Sequence, residues 1–403
     1  MAYFKEIDYY NCFIIKDEEE RFHVEESRIK GDFNGKSVDY GVRAHLTDES
    51  YEEETRENAL IYSGIYNSRT GVNNTNQFPI DQNITLSLDI QKGSIQKLYA
   101  EDNELNIFQE EKVSRVKIDK DVIYTAEGVP LTVRSNIFLS DVIPYATNFG
   151  IGKNPESFST YGSRMYFVDK PKGAVLRISR DGITEISNYG MRSYFRNNLS
   201  DATEIHTAWD MYDKNMVLTA KRPSDSFTIS FDESVNGWTS FYSFIPQGFS
   251  GSLDGKFFTF QNNNIYEHYA TKDYNNFYGY NYPCSVDFIF NEQPSASKNF
   301  MTVNYEGSDT WNISNIETDS DFAYNIPEYN IVNEDLLISA FQRNNNKFYC
   351  NFMNSSEENS NEVIFGRDIS GIKGFFAKMK IQTSSTDYKE LFSVSTNYNI
   401  NSY

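Results

Sequence analysis

The chain has four histidines and three cysteines, and carboxylates are abundant. These are the groups any chemistry would have to use. His23, His45, His206 and His268 include no pair at metal-ligand spacing, and H-E-x-x-H is absent. Each reads as a surface or packed imidazole. Cys12, Cys284 and Cys350 lie far apart with no C-x-x-C pattern. They form neither a disulfide framework nor a zinc site, and read as buried or half-buried thiols of a reducing cytosol. Among the carboxylates, Asp169, Asp181 and Glu185 come nearest to the pair a sugar hydrolase needs, about 5–10 Å apart in an aromatic groove. Asp181 precedes Gly182, however, where an aspartate bonds its own backbone in a turn. Turn chemistry is the better account. Asp-rich loops suit Ca²⁺, but no twelve-residue EF-hand pattern is present. "GFSGS" (Gly248–Ser252) is one residue out of register for a G-x-S-x-G elbow and sits in a β context. No Walker loop or G-x-G-x-x-G occurs. The expectation is therefore no catalytic residue, no cofactor-binding residue, no metal ligand, no cofactor and no enzymatic activity.

The elements around these residues are strands. Period-two alternation broken by Asn, Asp, Gly and Ser clusters runs through most of the chain. Tyr161–Ser187 shows it best. Met165 and Phe167 share one face, Tyr166 and Val168 the other, and Ala174, Leu176 and Ile178 line one side of the next strand. Asp181-Gly182 then signals a hairpin into Ile183–Ile186. Glu104–Thr125, Lys214–Phe244 and Ser252–Tyr269 repeat the theme. Val113-Ser-Arg115-Val and Val175-Leu-Arg177-Ile even place an arginine alike. The repeats start about 40–60 residues apart, near the period of a propeller blade. An irregular β-sandwich is the plainer alternative. Helix signals are confined to Gly190–Leu199 and Asn333–Phe341. The fold class read from this pattern is mainly β: propeller-like antiparallel blades with a second, smaller β domain. The division is an N-terminal arm or loop-rich β segment at 1–80, a propeller-like domain at 81–290 and a C-terminal β domain at 291–403. The arm carries acidic runs at Asp17–Glu20 and Glu52–Glu54, and the polar stretch Ser63–Phe78 reads as an ordered loop or a reach to another subunit. The chain closes on two strand candidates and a polar tail.

Composition narrows the function classes. The formal net charge is −20, which opposes nucleic-acid affinity, since that needs clustered Lys and Arg. DNA near such a surface slides past it. With 29 Tyr, 31 Phe and 3 Trp, the chain suits sheets and protein interfaces. No run of 18 apolar residues exists, so no membrane span is expected. The N-terminus lacks a signal-peptide layout.

Long stretches carry a resemblance. Gly150–Phe195 ("GIGKNPESFSTYGSRMYFVDKPKGAVLRISRDGITEISNYGMRSYF") resembles structural tail proteins of short-tailed bacteriophages. These are the stabilisation, nozzle or muzzle proteins, including those of crAss-like phages. Glu25–Leu46, Leu60–Phe78, Gly93–Gly128, Ser230–His268, Met301–Asn312 and the closing "KELFSVSTNYNINSY" are similar as well. The likeness implies a virion component, assembled in the bacterial host cytoplasm. It implies a homo-oligomeric ring, a hexamer, around the DNA channel that retains the genome and opens for ejection. The implied partners are the protein itself, tail hub, ring or adaptor proteins and fibre proteins, with DNA only passing through. The family brings no catalytic residues. The chain is short for the muzzle of a large crAss-like virion, which leaves fibre docking open. Two rivals stand beside this reading: a glycan-binding or glycan-cleaving host-recognition protein, and a cytosolic propeller serving as a protein-binding platform.

Overall fold

A computed structural model describes residues 9–16, 22–29, 55–64, 66–67, 71–78, 84–101, 103–118, 121–124, 130–133, 139–248, 250–319, 341–345, 347–352 and 371–400. The acidic runs, His45 and the helix expected at 333–341 (save Phe341) lie outside these residues. So do the side chains of Cys12 and His23. The fold is mainly β, with Arg192–Leu199 the α-helix among the described residues. The strands form several antiparallel sheets. The chain divides into two compact units, 1–209 with 214–240, and 210–213 with 241–403.

Three four-stranded sheets fill most of the first unit. The first takes Ile95–Glu101, Glu104–Gln109, Val113–Lys117 and Ile143–Pro144. The second is Ser159–Tyr161, Arg164–Asp169, Ala174–Ser179 and Gly182–Glu185. The third is Glu204–Asp210, Asn215–Lys221, Phe227–Asp232 and Gly237–Tyr242. In the second and third, strands adjacent in sequence are adjacent in space. The first sheet departs from its expected meander in one respect. Asp121–Tyr124 leaves to pair with Pro130–Val133. The place beside Val113–Lys117 goes instead to Ile143–Pro144, which pairs with Arg115 and Ser114. A proline has no N–H to donate to a ladder, so this short strand suits an edge.

The alternation seen in the sequence decides how the sheets stack. On the second sheet, Met165, Phe167, Ala174, Leu176 and Ile178 form one core with Phe108 and Val113 of the first sheet. On its opposite face Tyr166, Val168 and Val175 form another with Met216, Leu218, Ile229 and Phe231 of the third. The helix closes that second core with Phe195 and Leu199. It starts at Arg192 rather than Gly190, because Gly190 has a φ of +78°, outside the helical region. The first sheet's far face, with Ile107 and Val116, is covered by Leu88 and Leu139 and by the half-buried Leu60 and Leu86. Leu60 and Leu86 pair across the hairpin of Ala59–Ile61 and Thr85–Ser87.

In the second unit, Ser250–Leu253, Lys256–Gln261 and Asn264–Glu267 make a three-stranded sheet. Two further sheets enclose one core of Phe300, Val303, Tyr305, Trp311, Ile313, Met379 and Ile381. One contains Cys284–Phe290, Ala377–Thr383 and Asn312–Thr318. The other centres on Lys298–Gly307, flanked on one side by Lys347–Asn351 and Ile372–Gly374 and on the other by Leu391–Ile400. Lys298 is fully buried and donates to the carbonyls of Gln293 and Ala296, both at 3.0 Å. The stretch read as a polar tail is thus largely strand, up to Ile400. Val394 and Tyr398 pack against the core and hold the Asn- and Ser-rich residues between them in register.

Candidate assembly surface

The groups that chemistry would use are not gathered. Asp169 is buried at the end of its strand and accepts from the backbone N–H groups of Gly150 at 3.1 Å and Lys172 at 3.2 Å. The Lys172 ammonium adds an ion pair at 3.0 Å. Glu185 accepts from Ser187 Oγ at 3.1 Å. Asp181 lies in the turn that pairs Ser179 with Gly182, at the other end of the meander from Asp169 and Glu185. His206 is buried with Nε2 3.4 Å from Glu204. His268 contacts Thr259 Oγ1 at 2.7 Å and is ringed by Phe244, Phe257 and Phe277. Burial pushes its pKa down to about 4. Cys284 is exposed rather than buried, Cys350 is half-buried, and both are free thiols. Among the described residues, no group of three or more His, Cys, Asp or Glu is placed to hold a metal. No helix among them is long and apolar enough to cross a membrane.

The polar groups instead join one sheet to the next. Arg177 and Tyr166 face each other across the second sheet. Both reach Glu233, in the turn after the third sheet's third strand: Tyr166 O–H donates at 2.7 Å and the Arg177 guanidinium at 2.5 Å. Arg164 approaches the same carboxylate at 3.5 Å. Burial, then the bond to Glu233, raises the Tyr166 pKa far above that of a free phenol. The hydroxyl stays protonated and remains a donor. Thr207 Oγ1 donates to Ser157 O at 2.7 Å and Trp238 Nε1 to Ile186 O at 3.0 Å, so the joint has three polar fastenings. Tyr161 stacks on Trp209 at 4.0 Å beside them. Local alternation marks the two faces but says nothing of Glu233, which lies 56 residues beyond Arg177. No pattern in "SFDESVNGW" distinguishes that carboxylate from its neighbours.

Exposed aromatic and aliphatic side chains are spread over both units, and two groups of them stand out. The first is the 61–78 segment, where Tyr66–Asn67 pairs with Val72–Asn73. Asn73 Oδ1 takes Thr75 N at 3.1 Å and Thr75 Oγ1 at 2.6 Å, so the turn is locally braced. Ile61, Tyr66 and Phe78 are exposed on it and line an open cavity of about 560 Å³. The second lies in the C-terminal sheets, where Tyr274, Tyr280, Ile289, Tyr388 and Phe392 are exposed. Such residues anchor protein contacts.

Family models match two parts of this chain. The model of the Crassvirus muzzle protein matches residues 73–263, a span that holds the three stacked sheets. That of the Crassvirus muzzle protein C-terminal domain matches residues 272–355. A muzzle protein of Bacteroides phage crAss001 is 26% identical over 259 residues, which is 59% of this chain and 17% of that relative. The match therefore spans about a sixth of the relative's length. Among solved structures, a catalytically inactive virginiamycin B lyase from Staphylococcus aureus with quinupristin aligns over 53% of this chain and 85% of its own. Its identity is 12% and its TM-score 0.23, a likeness too slight to argue from.

Proposed function

Because the chain belongs to the Crassvirus muzzle protein family, we infer that it is a non-enzymatic structural component of a short phage tail. The observation that carries this reading is the coincidence of the family match at 73–263 with the stacked sheets. In those sheets a carboxylate, Glu233, fastens one sheet to the next. In this reading the meanders are blades of a propeller-like array. Each is a four-stranded sheet, sequential in the second and third and with a later edge strand in the first, and the second is covered on both faces, as radial repetition requires. Copies of the chain form a ring, a hexamer, around the DNA channel. They retain the genome and open for ejection, against hub, ring or adaptor and fibre proteins. The net charge of −20 supports a wall along which DNA slides. The 61–78 segment reaches a neighbouring copy in the ring.

Antibody labelling of purified virions by immunogold is the direct test. Label at the tail tip is the expected outcome, and unlabelled tails overturn the reading. Limited proteolysis tests the loop. Residues 61–78 should be cut in free chain and protected in the ring, and equal cleavage in both would sink that contact. New reducing ends from host capsule polysaccharide would overturn the non-enzymatic part.

A further inference from the structure

We propose that Leu391–Ile400 is an assembly edge that accepts a β-strand from a second copy of this chain. The proposal rests on the self-association inferred above and names a surface for it. The ten-residue strand pairs along its length with Lys298–Gly307. Among the described residues nothing pairs with its other side. Such a row of open N–H and C=O groups is a template for another strand, and soluble proteins guard it with lysine, proline or shortness. None of these three is here; the irregularity on the strand is a register shift near its start, where Glu306 and Gly307 pair with Ser393 and Leu391. "LFSVSTNYNI" is long and has no charge and no proline, and the sequence stays free of Asp, Glu, Lys and Arg from Leu391 to Tyr403. Phe392 is 71% and Ile400 51% exposed, while Val394 and Tyr398 pin the strand to the core. The edge is therefore fixed in place and open.

The uncharged surface continues beyond the strand. Tyr274–Val286 also holds no charged residue. It lies against the turn that leads into the edge, with Tyr274 N donating to Thr386 O at 2.8 Å and Asn281 Nδ2 to Ser384 O at 2.9 Å. Tyr274 and Tyr388 meet there, ring centroids 5.3 Å apart.

Charge identifies the occupant. The chain has 57 acidic against 37 basic residues. A nucleic acid would need lysine or arginine at the contact. A basic protein would be met by carboxylates. A copy of this same net-acidic chain meets least repulsion where charge is absent, and the uncharged edge meets that condition. Strand addition then satisfies the open backbone groups without a charged partner.

The test uses the full chain. Light scattering across a concentration series should show self-association, with hydrogen exchange in 391–400 slowing as oligomer forms. The double variant Phe392→Lys/Asn397→Lys places two cations on the exposed side of the edge. It should associate at least tenfold more weakly, with unchanged circular dichroism and melting. Association of the double variant at wild-type strength overturns the proposal. So does exchange in 391–400 that ignores concentration in the wild type, a measurement that does not depend on the variant folding. If virions carry the protein while either result holds, the edge assignment fails and the tail reading stands. Unlabelled virions fail the tail reading alone.

Discussion

Arg115 and Arg177 occupy the same place in successive meanders, on the third strand and facing the following sheet, yet their surroundings differ. Arg115 pairs with Glu104 of its own sheet at 3.6 Å, with side chains 43% and 37% exposed. Its guanidinium lies over the Tyr145 ring at 5.7 Å. Arg177 pairs with Glu233 of the next sheet at 2.5 Å, with side chains 15% and 11% exposed, and shares that carboxylate with Tyr166. An exposed pair contributes little, because water and salt screen it. Removing one partner of a buried pair is costly, because it strands the other charge. The same residue in the same register is thus ornament in one sheet and fastener in the next, and the difference lies entirely in what the following sheet supplies.

That contrast can be broken from its strong end first. Glu233→Ala should destabilise the chain by about 3 kcal/mol, leaving Arg177 unpaired and Tyr166 without its acceptor. Urea denaturation reads this, and a loss below 1 kcal/mol would refute the fastener role. His268 in the second unit sharpens the point, since it is a half-buried base held by packing rather than by a countercharge. Its folded pKa lies below its unfolded value. Its share of stability is therefore full above about pH 6.5 and is lost as pH falls towards 4, by up to about 3 kcal/mol. His268→Gln should flatten the melting temperature in that window relative to wild type.

Two turns of the second sheet offer a smaller version of the same contrast. Gly173 has a φ of +61°, and an added Cβ would lie 2.6 Å from Arg196 Cα on the helix. Gly173→Ala should cost about 2 kcal/mol, from strain and collision together. Gly182 has a φ of +102° with nothing within 4 Å of an added Cβ. Gly182→Val should cost about 1 kcal/mol from backbone strain alone and weaken the hairpin. A Gly173→Ala variant no worse than Gly182→Val would remove the helix contact from the account. At the weak end, Glu104→Ala should change stability by less than about 0.5 kcal/mol and lose even that at high salt.

The faces of the second sheet were legible because alternation has a period of two and both faces are buried. Met165 with Phe167, and Tyr166 with Val168, separate in the structure as they do on paper. The helix ending at Leu199 was legible for a similar local reason, its spacing of Phe195 and Leu199. Glu233 was not, since its meaning depends on a partner 56 residues away. Two strand candidates were read at the close of the chain, but the run of the last strand on to Ile400 was hidden by its composition. Asn and Ser signal loops, and only the apolar side chains beneath Val394 and Tyr398 make them a strand. Asp121–Tyr124 was read as a strand, but its pairing within the first sheet was not decided by anything local. Ile143–Pro144 takes the place beside Val113–Lys117.

The burial of the second sheet on both faces also sets an order in time. Its four strands close on near neighbours in the chain and need little loop-closure entropy. They can form as soon as they leave the ribosome. The face with Tyr166 and Arg177 then stays bare until the third sheet, and with it Glu233, has been synthesised. For that interval an apolar surface and an unpaired guanidinium are open to solvent. Slowed synthesis between residues 187 and 233 would prolong the exposure and increase loss to aggregation, whatever the stability of the finished chain.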